Sequence, residues 1–192
     1  MAADPSPLDT RSGRPLARIF DHAQLWAASE SGVSEATRLL AAAAGAGYGP
    51  IEEVIGIAEG GRTPTAAIAA HLDVPIRIVR ARHNPTGTPY TQATGRVMCD
   101  TGSIPAGSLR GRVLLVDDIC GTGATLGAVA SALAAPGLQL INCVLCLNAG
   151  ARMTPDLWVW KVRDWVVFPW ETILDTTVAL IDLPIPTEVH VR

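Results

Sequence analysis

The sequence lacks the features that mark membrane, secreted and nucleic-acid-binding proteins. Its 192 residues contain no apolar run near the ~18–20 residues that span a bilayer. The first residues hold no apolar segment of the kind that a secretory signal needs. The net charge is −3, whereas nucleic-acid-binding domains are usually basic with clustered cations. We therefore expect a soluble, cytoplasmic protein with no membrane partner, and the charge argues against nucleic acid.

Cysteine and lysine are scarce as well. The four cysteines are too few for a disulfide framework. Cys143 and Cys146 form a CxxC motif, but the apolar segment around them predicts a buried strand. Residues three apart on a strand point to opposite faces, so we interpret both as core residues and not as a metal or redox pair. Lys161 is the only lysine among 15 cationic residues.

Apolar segments of two kinds alternate along the chain. Predicted strands cover residues 53–58, 75–81, 112–118 and 138–148, and two short strands flank Arg163-Asp164 in the tail. Predicted helices cover residues 21–44, with a possible break at Ser31-Gly32, a segment opened by Pro64, and residues 126–135. This alternation predicts an α/β fold with a parallel sheet covered by helices on both faces.

The composition, 48% hydrophobic, is ample for one buried core. We expect a flexible arm at residues 1–15 and a single domain at 16–192, with its core at about 50–150 and a small hood at about 151–192. The polar stretch 83–109 is rich in proline and glycine. Two interpretations of it stay open and are compatible: a mobile lid, and a short hairpin in which residues 94–102 pair with themselves.

The strongest motif is VLLVDDICGTGAT, at residues 113–125. Four apolar residues end a buried strand, and Asp117 and Asp118 follow at the carboxyl edge of the sheet, where α/β proteins bind ligands. A loop with two glycines and two threonines then leads into a helix. Exposed backbone N–H groups, hydroxyls and the positive end of the helix dipole form a phosphate cradle. Carboxylates beside such a cradle need sugar hydroxyls or a divalent cation as partners.

Two other nucleotide-binding motifs and a plain capping turn compete with this interpretation. A dinucleotide-binding turn needs a third glycine in register, but the next one is Gly127, and it needs an acid ~20 residues on. No Asp or Glu occurs from Ile119 to Pro155. A P-loop needs a lysine after the glycines, and none is present.

The motif resembles the phosphoribosyl-pyrophosphate (PRPP) signature of the type I phosphoribosyltransferases. The resemblance implies their fold, a parallel sheet flanked by helices with a small C-terminal hood. It implies that Asp117 and Asp118 are the catalytic carboxylates and hold the ribose 2′- and 3′-hydroxyls, directly or through Mg²⁺. The phosphate-binding residues would be Cys120, Gly121, Thr122, Gly123, Ala124 and Thr125.

The resemblance extends to the rest of the PRPP site. Glu59, Gly60, Gly61 and Arg62 stand where the family has its pyrophosphate loop, and glycines there let the backbone approach the pyrophosphate. The stretch 83–109 stands where the family has a mobile loop that closes over PRPP. Further positive charge near the strand ends would come from Arg80, Arg82 and His83.

The tail resembles the base-binding hood of the xanthine–guanine and hypoxanthine branch. By this resemblance Trp165 stacks on a purine, and Val166 and Glu171 contact the edge of its ring. Trp158 and Trp160 alternate on a strand and are interpreted as core residues.

Three positions depart from that branch. Gly121 stands where the branch has an acid for the purine N7 proton. Leu147 or Asn148 stands where it has a lysine for the 6-oxo group, so Asn148 is a candidate hydrogen-bond donor to the acceptor, and Lys161 a candidate replacement. Glu59 stands where a basic or neutral residue is usual. The first two departures affect recognition of the acceptor and leave the PRPP site complete.

The sequence thus predicts transfer of 5-phosphoribosyl from PRPP to a purine-like base, with Mg²⁺ and with release of pyrophosphate. Two alternatives stay open: transfer to a non-nucleobase acceptor such as an amine, and a catalytically silent PRPP-binding regulator. A homodimer is expected from the resemblance alone.

Overall fold

A computed structural model of the chain describes residues 18–83, 90–93, 96–105, 107–172 and 179–192. The flexible arm predicted at residues 1–15 and parts of the predicted lid lie outside the described residues. Within the described part of the chain, no helix is long and apolar enough to cross a membrane.

Most of the described strands form one large sheet. In chain order the strands are β1 (Leu25–Ala27), β2 (Glu53–Ala58), β3 (Ile76–Arg82), β4 (Met98–Asp100), β5 (Gly111–Cys120), β6 (Leu138–Asn148), β7 (Leu157–Val162), β8 (Trp165–Val167), β9 (Leu180–Asp182) and β10 (His190–Val191). The helices are α1 (Glu30–Tyr48), α2 (Arg62–Leu72) and α3 (Ala124–Leu133). The large sheet has the order β10-β7-β6-β5-β2-β3-β4, and a small one has the order β8-β1-β9.

The large sheet is parallel through its five central strands and antiparallel at its two edges. Strand β2 is buried along its whole length, as expected of a strand covered on both faces. Helices α1 and α2 contribute to the apolar cluster on one face, and α3 to the cluster on the other. The predicted α/β fold is therefore confirmed, and the carboxyl ends of β2, β3, β5 and β6 meet at one edge of the sheet.

The N-terminal segment differs from the prediction of helix over residues 21–44. Leu25–Ala27 form β1, and α1 begins only at Glu30, where the Ser29 hydroxyl caps it by accepting from the Gly32 N–H at 3.0 Å. Strand β1 pairs with β8 on one side and β9 on the other. These partners lie near the other end of the chain, so local periodicity could not show the pairing. The helix runs through Gly32 without the predicted break.

The predicted self-pairing of residues 94–102 is replaced by a pairing with β3. Strand β4 lies antiparallel to β3, with Ala81 opposite Cys99. Residues 94–95 and 106 and the stretch 84–89 lie outside the described residues, so the lid interpretation stays a prediction. Cys143 and Cys146 are buried and unpaired as thiols, which confirms them as core residues.

The small sheet is the part of the structure called the hood from here on. It joins the N-terminal segment to the tail, because β1 lies between β8 and β9. The buried carboxylate of Asp164 fixes the approach to β1 by accepting from the His22 N–H at 2.8 Å and the Ala23 N–H at 3.3 Å. Beside it, Arg163 forms an exposed ion pair with Asp21 at 2.6 Å.

We expect Asp164→Ala to destabilise the protein by about 1–3 kcal/mol, because two backbone donors lose a charged acceptor. Thermal unfolding measures this, and hydrogen exchange of residues 22–27 should accelerate. Asp21→Ala is the matched control, since it removes an exposed carboxylate from the same junction and should change the melting temperature little. Equal melting temperatures for the two variants would contradict this account of the junction.

Candidate active site

The loop after β2 brings two glycines against the end of β5. A Cβ at Gly61 would lie 2.6 Å from the Ile57 carbonyl oxygen and 2.7 Å from that of Val116, and a Cβ at Gly60 would overlap the Asp118 carboxylate. Neither position accommodates a side chain without movement of its neighbours. The Ala58–Glu59 peptide bond, just before the glycines, is cis. The loop thus presents bare backbone beside Asp118.

Asp117 and Asp118 lie half-buried near the carboxyl end of β5. Their carboxylates accept from backbone N–H groups, that of Asp117 from Asp118 at 3.1 Å and that of Asp118 from Ile119 at 2.6 Å. Burial, reinforced by the charge of Asp118, raises the pKa of Asp117 well above its ordinary value. Burial also raises the pKa of Asp118, against the opposing charge of Arg18. The pair therefore favours a ligand that supplies positive charge or hydroxyl donors.

The loop that follows β5 forms a hollow at the start of α3. Gly123 takes a positive φ of 91°, and the Thr122 hydroxyl accepts from the Ala124 N–H at 3.1 Å. The hollow, of about 80 Å³, is lined by residues of this loop together with Arg18, His83, Ala93, Asp117 and Ile119. Backbone N–H groups at a helix N-terminus suit an anion such as a phosphate.

A larger cleft of about 860 Å³ adjoins the hollow, within the usual size range of small-molecule sites. It brings together the predicted residues Glu59, Gly60, Arg80, Arg82, His83, Asp117, Asp118, Thr125 and Glu171. Arg62 is not among its lining residues, and its side chain pairs with exposed Glu59 at 2.8 Å. Arg80 also approaches Glu59, at 3.8 Å. Glu59 thus offsets part of the positive charge expected on this wall.

Strand β8 and the residues just after it contain the remaining predicted acceptor residues. Trp165 is half-buried on β8, whereas the Val166 side chain belongs to the buried core. The Glu171 carboxylate accepts from the Phe168 N–H at 2.9 Å. Trp160 is buried in one apolar cluster, and Trp158 is partly buried against the other, so both are core residues as predicted. Trp165 does not itself line the cleft. Its ring lies beside Arg18, which does.

Sequence reasoning missed Arg18. Its guanidinium carbon lies 5.4 Å from the centre of the Trp165 ring, within cation–π distance. A Cβ at Gly121 would overlap its Nε, so the guanidinium fills the space beside that glycine. Burial lowers the pKa of Arg18, and the charges of Asp118 and Asp117 oppose that shift. No local pattern marks this residue, because the sequence before it is polar and has no helix or strand periodicity.

Asn148 and Lys161 are not placed as predicted. Asn148 is buried, and its amide is engaged by the backbone of Ile19: Oδ1 accepts from the N–H at 2.9 Å, and Nδ2 donates to the carbonyl at 3.0 Å. It therefore positions the chain next to Arg18 rather than presenting its amide to an acceptor. Lys161 is exposed on β7 and does not line the cleft.

Cys120 is buried, and its thiol donates to the Met153 carbonyl at 3.4 Å. Burial and the charge of Asp117 raise the pKa of this thiol to about 12. The side chain is therefore a neutral packing group, and only the backbone of Cys120 is available for the predicted contact with PRPP.

The comparison with protein families decides the assignment. The family model described as phosphoribosyl transferase domain matches residues 32–177. The chain belongs to this family. It is a PRPP-dependent phosphoribosyltransferase, as the resemblance implied. Among curated proteins, none is significantly similar to it.

Solved structures share the fold of this phosphoribosyltransferase. A purine phosphoribosyltransferase from Pyrococcus horikoshii is 23% identical, with a TM-score of 0.65 over 80% of this chain and 97% of that one. A xanthine-guanine-hypoxanthine phosphoribosyltransferase from Helicobacter pylori is 22% identical, with a TM-score of 0.63 over 76% of this chain and 94% of that one. A hypothetical protein from Neisseria gonorrhoeae with bound ppGpp is 21% identical, with a TM-score of 0.63 over 79% and 91%.

Phosphoribosyltransferases generally use Mg²⁺ with PRPP. Within the described residues, no cluster of three or more His, Cys, Asp or Glu side chains could hold a metal alone. Mg²⁺ is commonly bound by one or two carboxylates, with substrate oxygens and water completing the shell. The adjacent carboxylates of Asp117 and Asp118 fit that mode.

We expect Asp117→Asn to stabilise the metal-free, PRPP-free protein. The pKa of Asp117 is raised in the folded state, so ionisation destabilises the fold as pH rises from the ordinary value of 3.8 towards the folded pKa. The variant should match wild type near pH 3, below the ordinary pKa, and melt about 2–4 °C higher near pH 7.5, the response of a chain of this size to about 1 kcal/mol.

Thermal unfolding across that pH range measures the difference. Asp182→Asn, which changes an exposed carboxylate on β9, should follow wild type at every pH. A difference in melting temperature between Asp117→Asn and wild type that is the same at every pH would show that the charge of Asp117 does not cause the stabilisation.

Proposed function

We propose that this enzyme transfers the 5-phosphoribosyl group from PRPP to a purine-like base and releases pyrophosphate. The observation that carries the proposal is the meeting of the β2 loop with the acid pair, with Gly60 in contact distance of Asp118. A pyrophosphate on that loop and a ribose on the carboxylates would then be adjacent, as they are within PRPP.

Each part of PRPP has a candidate partner in the cleft. Asp117 and Asp118 would hold the ribose 2′- and 3′-hydroxyls, directly or through Mg²⁺. The loop residues Gly121–Thr125 would bind the 5′-phosphate through backbone N–H groups and the hydroxyls of Thr122 and Thr125. The loop Glu59–Arg62 would bind the pyrophosphate, and Arg80 and Arg82, which line the same cleft, would supply positive charge.

The reaction requires mainly that the enzyme position the acceptor and stabilise the charges that develop on the ribose and the pyrophosphate. Departure of pyrophosphate leaves oxocarbenium character at ribose C1, and the carboxylates below the sugar would stabilise it. Mg²⁺ bound with PRPP would neutralise part of the charge on the leaving pyrophosphate. An acceptor held against Trp165 would attack the opposite side of C1, so that proximity supplies much of the rate.

The purine-like acceptor rests on the hood. Trp165 lies beside Arg18, which lines the cleft, and β8 pairs with β1 on one side only within the described small sheet. The other backbone edge of β8, at Val166, has no strand partner among the described residues and would contact the ring edge. The structural likeness to enzymes titled purine and xanthine-guanine-hypoxanthine phosphoribosyltransferase accords with this choice but establishes only the fold.

A non-nucleobase acceptor is the second candidate. The engaged amide of Asn148 and the exposed position of Lys161 leave no group in the place where the resemblance expects a reader of the 6-oxo position. The homodimer expected from the resemblance stays a prediction.

The test is pyrophosphate release from Mg²⁺-PRPP over a panel of purines, pyrimidines and small amines. We expect release with an oxopurine, and Asp118→Asn should lower it by about 100-fold or more, because a preorganised charge at the ribose is lost. Asp73→Asn is the matched control. It changes an exposed carboxylate at the C-terminal cap of α2, where φ is 54°, a conformation that asparagine adopts readily.

Release with amines and with no base would establish the second candidate. PRPP binding without release for any member of the panel would contradict the proposed transfer to a base. Equal rates for Asp118→Asn and wild type would contradict the role given to the acid pair.

A further inference from the structure

The described site contains a cation that the family match does not account for. Arg18 precedes the matched residues 32–177, yet its side chain lines both the phosphate hollow and the large cleft. It lies against the backbone of Gly121 on one side and the ring of Trp165 on another. The guanidinium therefore occupies the part of the cleft between the phosphoribosyl loop and the hood, where an acceptor must approach.

Two amide side chains clamp the backbone that carries this guanidinium. Gln92 accepts from the Arg18 N–H at 2.9 Å and donates to its carbonyl at 2.8 Å. Asn148 makes the same pair of bonds to Ile19, at 2.9 and 3.0 Å. The next residue, Phe20, packs against Trp165 and Tyr90 at 6.1 and 5.5 Å between ring centres. Arg18 is thus held in place before any ligand arrives.

The donors of the guanidinium are not engaged by the part of the chain that the structure describes. Within the described residues no hydrogen bond or ion pair engages its N–H groups, and the nearby carboxylates of Asp117 and Asp118 act on it only through their charge. A partly buried cation with unpaired donors favours a ligand that supplies acceptor atoms. Guanidinium groups bind planar oxygen pairs, such as a carboxylate, through two parallel bonds.

Gly121 makes this arrangement possible. A side chain at position 121 would overlap Arg18 Nε. The guanidinium can therefore occupy this place only because residue 121 is glycine. The site thereby presents positive charge at the loop where the sequence resemblance led us to expect an acid. A protonated amine would be repelled here, whereas an oxygen-rich edge would be attracted.

We propose that Arg18 is the specificity-determining residue for the acceptor. It selects a planar acceptor whose edge carries a carboxylate or exocyclic oxygens. This inference rests on the proposed phosphoribosyl transfer. It assigns to the N-terminal segment the recognition that Asn148 and Lys161 do not provide. The alternative, that Arg18 merely blocks the cleft, predicts the opposite response to its removal.

The experiment compares matched acceptor pairs with wild type and Arg18→Gln. Orotate and uracil differ by one carboxylate, and xanthine and hypoxanthine differ by one exocyclic oxo group. Affinity is measured by calorimetry on the full chain with Mg²⁺-PRPP present, and kcat/KM by pyrophosphate release. We expect wild type to favour the oxygen-richer member of at least one pair, and Arg18→Gln to reduce that preference about 10- to 100-fold, mainly through KM.

Three further variants test the charge and planar shape of the Arg18 side chain, test its positioning, and provide a control. Arg18→Lys keeps the charge without the planar fork and should restore the preference only in part. Gln92→Ala releases the clamp and should weaken the preference with Arg18 still present. Arg38→Gln, which removes an exposed α1 arginine paired with Glu35, should behave as wild type. Thermal melting of each variant establishes that it is folded.

Failure of the role proposed for Arg18 and failure of the proposed transfer reaction give different results. Loss of PRPP binding and of pyrophosphate release in wild type would overturn the transfer reaction. In that case calorimetry of the acceptor pairs on wild type and Arg18→Gln still decides the role of Arg18. A preference unchanged in folded Arg18→Gln, or a uniform gain in affinity for every acceptor, would overturn the proposal, the latter in favour of a simple block.

Discussion

The close approach of the β2 loop to the end of β5 is the constraint on which the candidate site depends. Strands β2 and β5 are parallel neighbours, so their carboxyl ends reach the same edge of the sheet. Gly61 lies so close to the carbonyls of Ile57 and Val116 that a side chain has no room, and Gly60 lies beside Asp118. Bare backbone and carboxylate can share one small volume only because both loop residues lack a Cβ.

The same edge of the sheet gathers several negative charges, and the structure shows which positive charge acts against them. Asp117 and Asp118 are adjacent, half-buried and raised in pKa, while Glu59 adds further negative charge at the rim. The nearest described counter-charge is Arg18, which acts on both carboxylates without a direct ion pair. Among the described residues, the acid pair keeps unneutralised negative charge and the guanidinium keeps unengaged donors, as suits a site completed by its substrates.

The pattern of apolar strands was enough to predict the parallel sheet, because β2 and the central parts of β5 and β6 are buried and apolar in sequence. The acid pair and glycine loop were equally predictable, since these residues adjoin one another in sequence and their chemistry is local. Strand β1 was not predictable in this way. Its three residues are a strand only because β8 and β9 lie on either side, and helix periodicity nearby masked it.

What the sequence by itself determined, then, is the α/β sheet and the identity of the groups at the ends of β2 and β5. Only the tertiary structure decided what faces the acceptor. Pairing of β1 between two tail strands carries the segment before it into the cleft, where Gln92 and Asn148 fix Arg18 beside Gly121. Residues distant in sequence meet there through strand pairing and through hydrogen bonds from the Gln92 and Asn148 side-chain amides to backbone groups, and neither leaves a local pattern in the sequence.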